Sequence, residues 1–165
     1  VPNAGSIHVN DLNIKDISSI WLRNIGYVSQ TNFLTNDSIK ENIIFGRNNI
    51  SKEDLDHVIK LVGLDDLIDT LPEKINTNVG NLGSSFSGGQ KQRISIARAL
   101  VCSPRIIIFD EATSALDTNT EKNFLEIINK IKKNKIIIFI AHSQAIRDFC
   151  DIKTTIKNKK IEIIN

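Results

Sequence analysis

The spacing of apolar residues changes character along this chain, and each change marks a different kind of element. Near the start the apolar stretches are short. "GSIHV" followed by Asn10 and Asp11 reads as a strand entering a turn, and "NIGYVSQ" (24–30) as a second short strand, buried through Ile25, Tyr27 and Val28. In the middle the spacing is helical. Ser51 heads "SKEDLDHVIKLVG" with Asp54 three residues on, a variant of the capping box. Leu55, Val58, Ile59 and Val62 then fall on one face, and Gly63 follows as a helix-ending residue. "LDDLIDTLP" predicts a further short helix stopped at Pro72. Later, "RIIIFDE" (105–111) and "KIIIFIAH" (135–142) are continuous apolar runs, the pattern of parallel strands covered on both faces. Between them "TEKNFLEIINKIKK" has helical spacing at Phe124, Ile127, Ile128 and Ile131, so strand, helix and strand make a βαβ crossover. "IKTTIKNKKIEII" predicts a hairpin turning at Asn158 and Lys159.

These elements describe one two-lobed α/β domain with a mainly parallel sheet. Residues 1–36 and 103–165 form the α/β core lobe, and a helical subdomain over 37–102 interrupts it. Composition agrees: 165 residues suit one domain, and 41% hydrophobic residues suffice for a core. The longest apolar run, "IIIFIA" (136–141), falls far short of the roughly 20 residues of a membrane span. No signal peptide is visible. A net charge of +2 offers little attraction for nucleic acid, and the runs "KIKKNK" and "KNKK" read as solvated turns. Cys102 and Cys150 have no metal-like spacing and fit a reducing, cytosolic compartment. The absence of methionine and the opening "VPNAGSI" predict a piece of a longer protein.

Two stretches carry chemistry. Asp110 leaves the end of an apolar strand with Glu111 directly after it. A carboxylate there can hold Mg²⁺ through its waters, and the next can polarise a water for attack on a phosphoryl group. A capped turn would leave the same two letters. In "SFSGGQKQR", Ser87 is an N-cap, Gly88 and Gly89 permit close approach of a ligand to backbone, and the helix from Gln90 presents its positive end to an anion. Ile94, Ala97, Leu100 and Val101 face inward. A glycine-rich loop before an ordinary helix is the alternative. Their order along the chain is more specific: Gln30 at a strand end, Ser87, Gly88, Gly89 and Gln90, then Asp110 and Glu111, "SALD" (114–117), and His142 at the next strand end.

That order resembles the nucleotide-binding domain of ATP-binding cassette (ABC) transporters over essentially the whole chain. "FSGGQ" (86–90) is similar to the family signature, "IIIFDE" to the Walker B motif, "SALD" to the D-loop, His142 to the switch histidine and Gln30 to the Q-loop glutamine. The resemblance implies a P-loop NTPase (RecA-like) core with a helical subdomain, ATP and Mg²⁺ as ligands, and ATP hydrolysis coupled to transport. It implies Asp110 and Gln30 at the metal, Glu111 as base, and His142 on the γ-phosphate. Ser87, Gly88, Gly89 and Gln90 would serve the ATP of a second nucleotide-binding domain paired head to tail, and Asp117 would help the two sites communicate. "NDSIKENIIFG" (36–46) and "TNVGNLGSSFSGGQ" (77–90) resemble exporters, which implies a transmembrane partner, a place at the cytoplasmic face of a membrane and no nucleic acid. Asn81 stands where glutamate is common, Phe86 where leucine is, and Ser143 where arginine is frequent.

The phosphate-cradling G-x-x-x-x-G-K-[ST] does not occur in the sequence, nor does any Gly-Lys pair or the expected adenine-stacking aromatic. "VPNAGSIHVND" resembles the segment just after the family's P-loop helix, so the piece is expected to lack its N-terminal Walker A portion and to be inactive by itself. Its missing strand would leave Ile106 to Phe109 as an unpaired apolar edge. The alternatives are a soluble ABC-type ATPase acting on nucleic acid or ribosomes, and a non-hydrolysing regulatory piece. The interval between Gln30 and Ser87 leaves no room for the long coiled coil of chromosome-maintenance members, and Glu111 argues against a non-hydrolysing parent.

Overall fold

The computed structural model describes residues 4–82, 86–114 and 116–164. A minimal hairpin opens it: β1 (His8–Val9) pairs antiparallel with β2 (Leu12–Asn13). The turn residues Asn10 and Asp11 have φ of 47° and 66°, the left-handed conformation these side chains tolerate best after glycine. Asn13 then caps α1 (Ile14–Arg23), accepting from the Lys15 N–H. The β3 strand (Ile25–Val28) follows.

A helical stretch separates β3 from the next strand. It comprises α2 (Ile39–Ile44), α3 (Lys52–Val62), α4 (Asp65–Thr70), a 3₁₀ turn (Lys74–Asn76), α5 (Val79–Leu82) and α6 (Gly88–Leu100). Ser38, Ser51 and Ser87 cap α2, α3 and α6, each accepting from the backbone N–H three residues on. Leu55, Val58, Ile59 and Val62 of α3 are buried, as their spacing requires, and Gly63 closes that helix at φ 67°. The α6 helix packs against α2, α3 and β3 at once. Its approach to β3 is close enough that a Cβ on Gly26 would sit 2.6 Å from the Ala99 carbonyl oxygen, so only glycine fits there.

The remainder is α/β. β4 (Ile106–Asp110) leads through α7 (Thr118–Ile131) to β5 (Ile136–Ile140), then α8 (Gln144–Phe149) and the hairpin of β6 (Lys153–Lys157) and β7 (Lys160–Ile164). That hairpin turns at Asn158 and Lys159, both at positive φ. β3, β4 and β5 form a parallel sheet in that order. One sheet face carries Val28, Ile107 and Phe109 into a core shared with Ile94, Ile96 and Ala97 of α6 and Phe124, Ile127, Ile128 and Ile131 of α7. Phe109 stacks on Phe139 at 5.2 Å between ring centroids and meets Phe124 edge-on at 5.1 Å.

Three expectations about the sheet are corrected. The apolar strands are not covered on both faces: Ile136, Ile138 and Ile140 are exposed. The composition of a strand records which surroundings suit it, not whether this chain supplies the second layer. Nor is β4 an unpaired edge, since it lies in the middle with β3 on one side and β5 on the other; among the described residues the edges of this sheet are β3 and β5. Tyr27 is not in the core. It points to the open face, 53% exposed, and its hydroxyl has a specific partner.

Candidate functional site

Because β3, β4 and β5 are parallel, their carboxyl ends lie together, and the polar residues that follow each apolar run converge there. Glu111 takes φ 48°, in the left-handed region where a residue with a Cβ is strained. Its N–H is tied to the Ile140 carbonyl at 2.8 Å. The turn swings the Glu111 carboxylate between the neighbouring strand ends. Gln30 Nε2 donates to Glu111 Oε2 at 2.7 Å. His142 Nε2 lies 3.8 Å from Glu111 Oε1, a contact that is ionic when the ring is protonated. The His142 side chain is 88% exposed and that of Glu111 33%, so the cluster opens to solvent.

Asp110 is held in the same manner. The Tyr27 hydroxyl donates to Asp110 Oδ2 at 2.7 Å. That hydrogen bond, with desolvation and the carboxylate's charge adding to it, pushes the phenol above its ordinary range, so it keeps its proton. Among the described residues no group of three or more His, Cys, Asp or Glu side chains gathers as a metal cage. The donors here are instead oxygens of Asp110, Glu111 and the Gln30 amide. That set suits Mg²⁺, which takes one or two protein carboxylates and completes its shell with water and phosphate.

A second group forms at the amino ends of α6 and α7. Ser87 and Gln90 make a complete capping box: the Gln90 N–H donates to Ser87 Oγ at 3.2 Å, and the Ser87 N–H to Gln90 Oε1 at 2.8 Å. The helix begins at Gly88, two residues ahead of the expected Gln90, because this box closes its first turn. Gly88 is exposed, and a Cβ built on it meets no atom within 4 Å; one on Gly89 would meet Thr120 Cγ2 at 3.1 Å. Asp117 caps α7. Its Oδ1 accepts from the Asn119 and Thr120 N–H groups and its Oδ2 from the Thr120 hydroxyl, bonds that hold its carboxyl below the usual range. A cleft of about 270 Å³ runs between the two helices past Ser87, Gln90, Arg93, Thr120 and Asn123.

The structure therefore brings Gln30, Asp110, Glu111 and His142 together, and sets Ser87, Gly88, Gly89 and Gln90 beside the turn that Asp117 caps. Among the described residues no hydrogen bond or ion pair joins the two groups directly. The buried Gln92 links them, donating from Nε2 to the Ala112 carbonyl at 2.9 Å. The Asn81 side chain and residues 83–85 lie outside the described residues. Sequence reading missed two features. Tyr27 was visible only as an aromatic in an apolar run. The other is a polar knot behind Gln30, where Arg98 donates to the carbonyls of Asn42 and Phe33 and to Asn42 Oδ1, with its guanidinium 4.4 Å from the Phe45 ring centroid. An Asn among the apolar residues of "IKENII" and an Arg amid the apolar residues of α6 were the available signals.

The model of the ABC transporter family matches residues 1–114. Multidrug resistance protein 1 of Plasmodium falciparum (isolate FC27 / Papua New Guinea) is 50% identical over 143 residues, which cover 85% of this chain and 10% of that protein. A putative export ATP-binding/permease protein of Rickettsia typhi (strain ATCC VR-144 / Wilmington) is 46% identical over 139 residues, 84% of this chain and 24% of the relative. Among solved structures, a bacterial Atm1-family ABC exporter with ATP bound aligns at a TM-score of 0.76 and 38% identity, covering 88% of this chain and 26% of that one. The chain thus spans between a tenth and a quarter of the length of these curated relatives.

Proposed function

Since the chain belongs to the ABC transporter family, we propose that it is part of the ATP-binding and hydrolysing domain of an exporter, at the cytoplasmic face of a membrane. The observation that carries this reading is the Gln30–Glu111–His142 cluster, set beside Asp110 at the carboxyl ends of a parallel sheet. The likeness to an exporter solved with ATP bound supports the nucleotide. In this reading residues 1–36 and 103–165 are the core lobe and 37–102 the helical subdomain. The partners are a second nucleotide-binding domain and a transmembrane domain.

The chemistry follows from the side chains. Asp110 and Gln30 would hold Mg²⁺, which when bound neutralises charge on the phosphates. Glu111 accepts a proton from the attacking water. Gln30 fixes one of its oxygens, which leaves Oε1 as the basic atom on the side where His142 stands. His142, whose side chain is exposed, reaches a phosphate oxygen. Gly88 and Gly89 present the N–H groups of the first turn of α6 to a nucleotide held by the partner domain, while Ser87 and Gln90, bonded to each other, close the cap that holds this turn in place. Asp117, committed to the α7 cap, carries the partner contact through the position of that helix.

The test is Glu111→Gln in the full-length protein. Replacing the carboxylate by an amide is expected to lower steady-state ATP hydrolysis about 10²–10⁴-fold, the usual worth of a positioned base, while ATP binding persists. Turnover near the unmodified level would remove Glu111 from this role.

A further inference from the structure

The ends of β3 and β4 show a repeated arrangement. Two successive carboxylates, Asp110 and Glu111, are each engaged through one oxygen by a donor from the β3 side: Tyr27 to Asp110 Oδ2 and Gln30 to Glu111 Oε2, both at 2.7 Å. In the parallel register Tyr27 lies opposite Ile108, two residues before Asp110 on the same sheet face, so the ring runs along the strand toward the carboxylate. Nothing in the core requires the hydroxyl there, since Tyr27 stands on the open face. The opposite oxygen, Asp110 Oδ1, has no hydrogen-bond partner among the described residues.

We infer that Tyr27 is a positioning residue of the metal site: its hydroxyl fixes the rotation of the Asp110 carboxylate, so that one oxygen is occupied and the other is kept for the cation or its water shell. This rests on the reading of Asp110 as the Mg²⁺ residue. The physical ground is preorganisation. A carboxylate at a strand end is free to rotate about its Cβ–Cγ bond, and a short hydrogen bond to one oxygen removes that freedom before the cation arrives. The bond also withdraws charge from Oδ2, which favours engagement through a single oxygen.

The experiment is Tyr27→Phe in the full-length protein, with Mn²⁺ as the probe. Two quantities are read: Mn²⁺ binding in the presence of ATP by electron paramagnetic resonance, and the cation concentration for half-maximal ATP hydrolysis. Loss of one charge-assisted hydrogen bond to a metal-holding carboxylate predicts about a ten- to hundredfold weakening in both, larger than any fall in kcat at saturating cation. Tyr27→Leu, which removes the ring as well, should shift cation dependence by the same factor. A role in packing alone would lower the melting temperature and leave cation dependence where it was. Unchanged Mn²⁺ affinity in Tyr27→Phe, or a shift seen only with Tyr27→Leu, overturns the inference. Asp110→Asn separates this from the broader reading. If it leaves cation dependence unmoved, Asp110 is not the metal residue; if it abolishes binding while Tyr27→Phe does nothing, only the role of Tyr27 falls.

Discussion

At the scale of single residues, Gly88 sets the demands of the fold against those of a ligand. It sits in the first turn of α6, exposed, with open space where a Cβ would project. Alanine would suit that helix better, since glycine inside a helix costs about 0.5–1 kcal/mol relative to alanine. The intramolecular structure therefore gives no reason for glycine, whereas close approach of a phosphate to the backbone N–H groups does. Gly88→Ala is expected to leave the melting temperature unchanged or slightly raised. Gly88→Asp should block ATP-driven pairing of the nucleotide-binding domains through bulk and negative charge. Crosslinking with ATP in the Glu111→Gln background reads the second effect, and undiminished pairing of Gly88→Asp would show that this turn does not meet the nucleotide.

At the scale of elements, the segment after Gln30 has no regular structure until α2 and is held by side chains. Asn42 is fully buried. Its Oδ1 accepts from the Thr35 N–H and from Arg98, while its Nδ2 donates to the carbonyls of Thr35 and Ser38. Arg98 extends the knot to Phe33 and so lashes α2, the loop and α6 into one unit. Burial pushes the Arg98 guanidinium below its ordinary range, a sign that it depends on these acceptors. Asn42→Ala would leave several buried polar groups unpaired and is expected to destabilise the protein by about 3 kcal/mol, read as a lower urea midpoint. A loss no larger than that of an exposed helix residue would mean water replaces the amide at no cost. Much of this level was legible beforehand. The caps at Ser51 and Ser87, the apolar faces of α3 and α7 and the turn at Asn158 and Lys159 all depend on residues within a few positions of one another. The Asn42–Arg98 knot was not, because its partners meet only after α2 has folded back on α6.

At the scale of the whole molecule, the sheet is open on one side. Tyr27, Ile136, Ile138 and Ile140 present an apolar surface, and the β6–β7 hairpin adds Ile156, Ile161 and Ile163, all exposed. The 165-residue polypeptide expressed alone is expected to bind hydrophobic dyes and to self-associate, and Ile138→Lys should reduce both. The same polypeptide should show no micromolar Mg-ATP binding in calorimetric titration. The cradle of N–H groups and the lysine that hold the β- and γ-phosphates have no counterpart in this sequence. A nucleotide-dependent rise in its melting temperature would contradict that expectation.

Although α1, α2, α5 and α8 went unassigned, sequence alone set out β3, β4 and β5, the helices α3, α4, α6 and α7, the terminal hairpin and the caps at Ser51 and Ser87, and placed Gln30, Asp110, Glu111 and His142 at the ends of apolar strands. It could do so because periodicity, caps and strand-end polarity are local properties, and because parallel strands share one direction. Tertiary structure alone decided that β4 lies between β3 and β5, that one sheet face stays open, and that Tyr27 turns from the core to hold Asp110. Strand order and side-chain partners are set by contacts between residues far apart in the chain, as Tyr27 and Asp110 are, and an apolar run carries no record of which layer will cover it.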